Sequence, residues 1–184
     1  MRKYSREELL DRVVDALLSN GLAGASLRPL ARAAGTSDRM LLYYFKDKNE
    51  LLEAAFQAVA GRLLMRLEAA FPSGVTTSPS DLLGRLGAAI REPDMRPAMQ
   101  LWIELAGAAG RGEEPHRSVS AAILDGFLVW IDSRLSHDFD GDRSAAAALI
   151  LSVVDGAALL YSVGRADSAA AALAAGVKAL NASA

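Results

Sequence analysis

Between Ser26 and Phe45 the chain reads SLRPLARAAGTSDRMLLYYF. Two short helical segments are separated there by a single tight turn. Ser26 and Ser37 stand where each helix would be capped. Ala31 is small where the two would cross. Gly35, four residues later, can take the positive φ that so tight a turn needs. Leu30, Ala34 and Leu41 are spaced to share a small core. This fixes a helix-turn-helix, in which the second helix projects from the body.

The rest of the chain is helical as well, since strand alternation is absent. Ser5-Arg6-Glu7-Glu8 is a capping box, with Tyr4 and Leu9 placed as a hydrophobic staple. The helix it opens carries Leu9, Val13, Ala16 and Leu17 on one face and stops at Asn20-Gly21. Ser26 and Ser37 open the next two helices. Asp47-Lys48-Asn49-Glu50 is a second capping box, opening a helix that runs to about Ala70. Pro72 to Pro79 reads as a linker. Five further helices are expected, at roughly 80–91, 94–109, 115–136, 142–163 and 167–181. The expected fold is all-α: an N-terminal three-helix helix-turn-helix domain (1–47), a connecting helix (48–71) and a C-terminal helical bundle (72–184), about nine helices in all.

Charge and composition narrow the function classes. The net charge is −2, but residues 1–66 hold 11 basic and 8 acidic side chains, while the remainder holds 9 and 14. The basic excess lies with the helix-turn-helix, as phosphate binding requires. Cysteine is absent and the two histidines, His116 and His137, have no ligand-like neighbours, so no metal or other cofactor is expected. There is no Ser-His-Asp spacing and no glycine-rich phosphate loop, and an enzyme is not expected. No signal-like apolar stretch follows the N-terminus, so a cytoplasmic protein is expected. Ser144 to Val163 imitates a membrane span, yet it is rich in alanine and glycine and has Asp155 in its middle. A buried helix in a protein with no membrane partner explains it better.

From Arg6 to Leu52 the sequence resembles the TetR family of regulators. The resemblance rests on the Gly21 turn, Leu30-Ala31, Ala34-Gly35, Leu41, Tyr43, Phe45 and the Lys48…Leu51-Leu52 entry to the fourth helix. It implies nine helices, an N-terminal domain that binds double-stranded DNA, and a C-terminal domain for ligand binding and homodimerisation. It also implies that the last two helices pack with their symmetry mates. Their alanine and glycine content (Ala145 to Ala148, Gly156-Ala157-Ala158, Ala169 to Ala175, Gly176) suits close approach. Arg39, Met40 and Leu42 depart from the usual family residues. Leu42 lacks a phosphate-contacting hydroxyl and is not carried over as a contact.

The expected DNA contacts are Arg28, Ser37, Asp38, Arg39, Met40, Tyr43, Tyr44 and Lys48. Arg28 and Lys48 add charge to exposed helix-start N–H groups, which attract phosphate. Ser26, Asp47 and Glu50 read as caps. In the second domain Met65, Met99, Trp102, Phe127, Trp130 and Tyr161 are either core or the wall of a pocket for a small, mostly apolar effector. Glu104, Asp125 and Asp155 interrupt apolar helices. If buried they either pair, for which Arg96, Arg117 and Arg134 are available, or one left unpaired recognises a cationic or hydroxylated ligand.

Overall fold

A computed structural model describes residues 4–72 and 74–182; the outermost positions of the expected domains lie outside the described residues. Among the described residues there are nine α-helices and no strand: α1 Arg6–Asn20, α2 Leu27–Ala33, α3 Asp38–Tyr44, α4 Lys48–Ala70, α5 Pro79–Ala89, α6 Arg96–Gly110, α7 His116–Asp132, α8 Arg143–Ser162 and α9 Ala166–Ala182. Short 3-10 turns, Leu22–Gly24 and Pro93–Met95, follow α1 and precede α6. The all-helical fold expected from the periodicity is the fold observed.

The chain forms two compact units that cut across chain order. Met1–Met65 joins Gln100–Ile123 in one, and Arg66–Met99 joins Leu124–Ala184 in the other.

In the first unit, α1 starts on the expected capping box. The Glu8 N–H donates to Ser5 Oγ (3.0 Å) and the Ser5 N–H to Glu8 Oε2 (2.7 Å). Leu9, Val13, Val14 and Leu17 bury its inner face. They share that core with Leu30, Ala31, Ala34, Leu41, Phe45, Leu51, Leu52, Ala55 and Phe56. Burying the larger of these side chains stabilises the unit by about 1.5–3 kcal/mol each. Arg62 of α4 bonds Asp15 (2.6 Å) and Asp11 (2.9 Å) on α1. The Asp15 hydrogen bond is the main cause that raises the guanidinium pKa above its ordinary value.

In the second unit α5, α8 and α9 pack on one another. Glycine makes the approach possible. A Cβ on Gly87 of α5 would lie 2.7 Å from Leu173 Cδ2, and one on Gly176 of α9 would lie 2.8 Å from Leu83 Cδ2. Helix α8 is long and apolar enough to cross a membrane, by length and composition only. It buries Ala146, Ala147, Ile150, Val154, Ala157 and Ala158, and leaves Leu149 and Leu159 exposed.

Two expectations about boundaries change. Helix α7 stops at Asp132 rather than 136, because the 72–79 segment is not a free linker. The Thr77 N–H donates to the Arg134 carbonyl and the Ser136 N–H to the Thr77 carbonyl (both 2.9 Å). The Arg143 guanidinium then donates to the carbonyls of Asp132 and Ser136. Ser26 holds the N-cap position of α2 with extended backbone, but its side chain makes no capping bond.

Candidate nucleic-acid interface

The turn between α2 and α3 is a Schellman closure. Gly35 has φ +68°, its N–H donates to the Arg32 carbonyl (3.0 Å), and the Thr36 N–H donates to the Ala31 carbonyl (2.9 Å). Ser37 then caps α3, accepting from the Met40 N–H (3.3 Å). The cap and the glycine were legible in sequence.

The tethers that fix the helix pair to α1 were not. The Tyr4 hydroxyl donates to the Gly35 carbonyl (3.3 Å), and Arg12 Nη1 donates to the Ala34 carbonyl (3.1 Å). The Arg12 guanidinium also lies over the Tyr4 ring, 4.7 Å from its centroid. The Tyr44 hydroxyl donates to the Tyr4 carbonyl (2.7 Å). Beyond α3, Arg6 pairs with Glu50 (3.2 Å) and covers the Phe45 ring, while Glu50 accepts the Lys46 N–H (2.7 Å). Asp47 accepts the Glu50 N–H (2.9 Å). The second capping box is therefore shifted: Asp47 caps as expected, but Glu50 reaches back to Lys46 instead of Asp47.

With Leu41 and Phe45 turned inward, α3 presents Arg39, Met40, Leu42 and Tyr43 outward; Tyr43 is 65% exposed and Met40 43%. Asp38 is half-buried at the helix start. Arg28, Arg39 and Lys48 are exposed and form no ion pair among the described residues. Exposed Arg32 and Lys46 extend this basic set. Sequence reasoning missed both, although Arg32 in the last turn of α2 could have been found from its spacing to Arg28. Tyr44 is half-buried and its hydroxyl is committed to Tyr4, so as a DNA contact it offers only its ring.

The expected effector residues divide between the units. In the first, Trp102 is half-buried on α6, and Met65, at 66% exposure, sits at the boundary. In the second, Met99, Phe127 and Tyr161 are half-buried. Trp130 is held in a polar cluster: its Nε1–H donates to Glu68 (2.9 Å), which also pairs with buried Arg134. Phe71 meets the indole edge-on at 5.7 Å.

The expectation of buried acids is corrected. Glu104 and Asp125 are exposed and Asp155 is half-buried. Glu104 takes no arginine; it accepts the Leu22 N–H (2.5 Å), and a Cβ on Gly21 would fall equally close to its carboxylate. Arg134 pairs with Glu68 because the α7 terminus carries it there.

Comparison with known proteins sharpens this picture. The family described as "Bacterial regulatory proteins, tetR family" matches residues 5–55. Over 63 residues the chain is 38% identical to the HTH-type transcriptional regulator BetI of Klebsiella pneumoniae and 35% identical to BetI of Escherichia coli. Each match spans 34% of this chain and 32% of the relative, about a third of the curated proteins' length. Among solved structures, a TetR-family regulator from Rhodococcus sp. is similar over 97% of both chains, with TM-score 0.76 and 22% identity. A TetR-family regulator from Cytophaga hutchinsonii reaches TM-score 0.77 at 15% identity, covering 96% of this chain and 93% of its own. The multidrug binding protein EbrR, complexed with proflavin, has TM-score 0.67 at 24% identity, over 95% of this chain and 98% of its own. At these identities the structural likeness speaks for the fold.

Proposed function

The chain belongs to the TetR family of bacterial regulatory proteins, which are not enzymes, and from that premise we propose that it is a ligand-responsive transcriptional repressor that binds a pseudo-palindromic operator as a homodimer. The observation that carries the reading is the outward face of α3. Arg39, Met40 and Tyr43 stand exposed on a helix whose position is fixed by the Tyr4, Arg12 and Tyr44 bonds, flanked by exposed Arg28, Arg32 and Lys48, which form no ion pair among the described residues. The chemistry divides in two. Arg28 and Lys48 bind phosphate and carry no sequence information. Arg39 reads guanine, Asp38 accepts from cytosine N4, and Met40 supplies apolar contact. Exposed Ser37 adds a contact from its hydroxyl, which also caps α3.

Homodimerisation rests on the exposed apolar side chains of α8, Leu149 and Leu159, beside the exposed alanines of α9. A second copy covering that face removes it from water. Two recognition helices related by a two-fold axis require half-sites about 34–36 Å apart. The effector is a small, mostly apolar molecule, a reading supported by the half-buried Met99, Phe127 and Tyr161 of the second unit and by the ligand-bound neighbour EbrR. Its binding releases DNA only by the difference in its affinity for the two states. The protein acts in the cytoplasm, without a membrane partner.

A mobility shift with the DNA upstream of its own gene tests the reading. Retardation that weakens steeply with salt supports it. A protein that binds small molecules but leaves every upstream fragment unretarded is instead a helical ligand-binding module that does not bind DNA.

A further inference from the structure

His116 and Ser120 stand one turn apart on α7, so both side chains leave the helix on one face. Ser120 is 6% exposed and the His116 side chain 16%. Neither His116 Nδ1 nor Ser120 Oγ has a hydrogen-bond partner among the described residues. Glu113 Oε2 lies 4.0 Å from Nδ1, beyond hydrogen-bond reach. The Phe56 ring from α4 flanks the imidazole, with centroids 6.0 Å apart.

A buried hydroxyl on a helix ordinarily bonds back to a carbonyl of the preceding turn. Even exposed Ser118 does so, donating to the Pro115 carbonyl (3.0 Å); buried Ser120 has no such bond among the described residues. Two unpaired polar atoms on one buried face are costly, and such groups call for an explanation in function.

We infer that His116 and Ser120 form the polar end of a site for a small apolar molecule that carries a hydroxyl group. A hydroxyl is both donor and acceptor. It donates to Nδ1 when the imidazole proton is on Nε2, and it accepts from the Ser120 hydroxyl, so one ligand group satisfies both atoms. Phe56 supplies apolar wall beside them. The inference rests on the ligand-responsive reading and gives the effector a hydroxyl-binding site within the first unit, separate from the Met99, Phe127 and Tyr161 of the second.

The chain has two histidines, and His137 is exposed, so side-chain nitrogen NMR reports His116 with an internal reference. Matched probes are phenol with toluene and 2-naphthol with naphthalene. The hydroxylated member of at least one pair should bind about tenfold tighter, the weight of one or two ordinary hydrogen bonds. It should move the His116 resonances and leave His137 still. Ser120→Ala should abolish the preference while leaving hydrocarbon binding unchanged. Unliganded Ser120→Ala should melt at the wild-type temperature or above it, because it loses a hydroxyl that had no partner. Absence of preference in both pairs, a silent His116, or a lowered melting temperature from a hydroxyl already satisfied by structural water overturns the inference. The mobility shift separates this from the wider reading. A probe that moves His116 without releasing DNA leaves the site standing and sinks the ligand-responsive reading. One that releases DNA with His116 silent does the reverse.

Discussion

In the first unit, α2 and α3 are held to α1 by named polar bonds: Tyr4 to Gly35, Arg12 to Ala34 and Tyr44 to Tyr4. In the second, α5, α8 and α9 meet through small residues, with Gly87 under Leu173 and Gly176 under Leu83. Directional bonds fix where a helix points. Close packing of small side chains fixes how near helices come and leaves more freedom in which residues do it. The first kind of construction demands particular residues at particular places, and residues 5–55, which hold Arg12, Ala34, Gly35 and Tyr44 of these bonds, are the part of the chain that the family matches.

The largest effect expected in testing this contrast is in the first unit's core. Phe45 is buried at the end of α3 under the Arg6 guanidinium. Phe45→Ala should cost about 3–5 kcal/mol in denaturant unfolding. A loss below about 1 kcal/mol would mean that α3 is not seated through this ring.

Two glycines of α5 probe the other unit. A Cβ on Gly87 meets Leu173, whereas one on Gly84 meets nothing within 4 Å. Gly87→Ala should lose about 1–3 kcal/mol by overpacking. Gly84→Ala should gain about 0.5–1 kcal/mol, because alanine favours the helix. Equal effects in thermal melts would remove the close approach from the account.

The smallest contrast lies between two serines with the same N-cap backbone. Ser5→Ala should cost about 1 kcal/mol, since its hydroxyl oxygen accepts the Glu8 N–H. Ser26→Ala should change stability by less than about 0.5 kcal/mol, as expected for a surface position without a capping bond. Equal losses would place a cap on Ser26 after all.

These pairs also mark what the sequence made legible. Helix starts signalled within four residues, such as Ser5-Glu8 and Ser37-Met40, could be read directly, as could the turn at Gly35. Contacts spanning 31 to 82 positions, such as Tyr4 with Gly35 or Glu104 with Leu22, have no periodic signature. The same holds for α7, whose end depends on Thr77, more than 50 positions earlier. Exposed Arg28, Arg39 and Lys48 could be named because a helix-turn-helix dictates which face is free. The six residues expected to enclose an effector were chosen by type and, for Met99 with Trp102 and Phe127 with Trp130, by a three-residue helical spacing; neither signal reports a long-range bond such as that from Trp130 to Glu68.

The central claim is that α3 reads DNA and that two copies do so together. Selection of binding sites from random duplexes, with wild type and Arg39→Ala side by side, tests it most directly. The account predicts a pseudo-palindrome with half-sites about 34–36 Å apart, and in the variant a relaxed preference at one base pair per half-site, worth about 1–3 kcal/mol. A single asymmetric half-site, or a selected sequence that Arg39→Ala leaves unchanged, would contradict it.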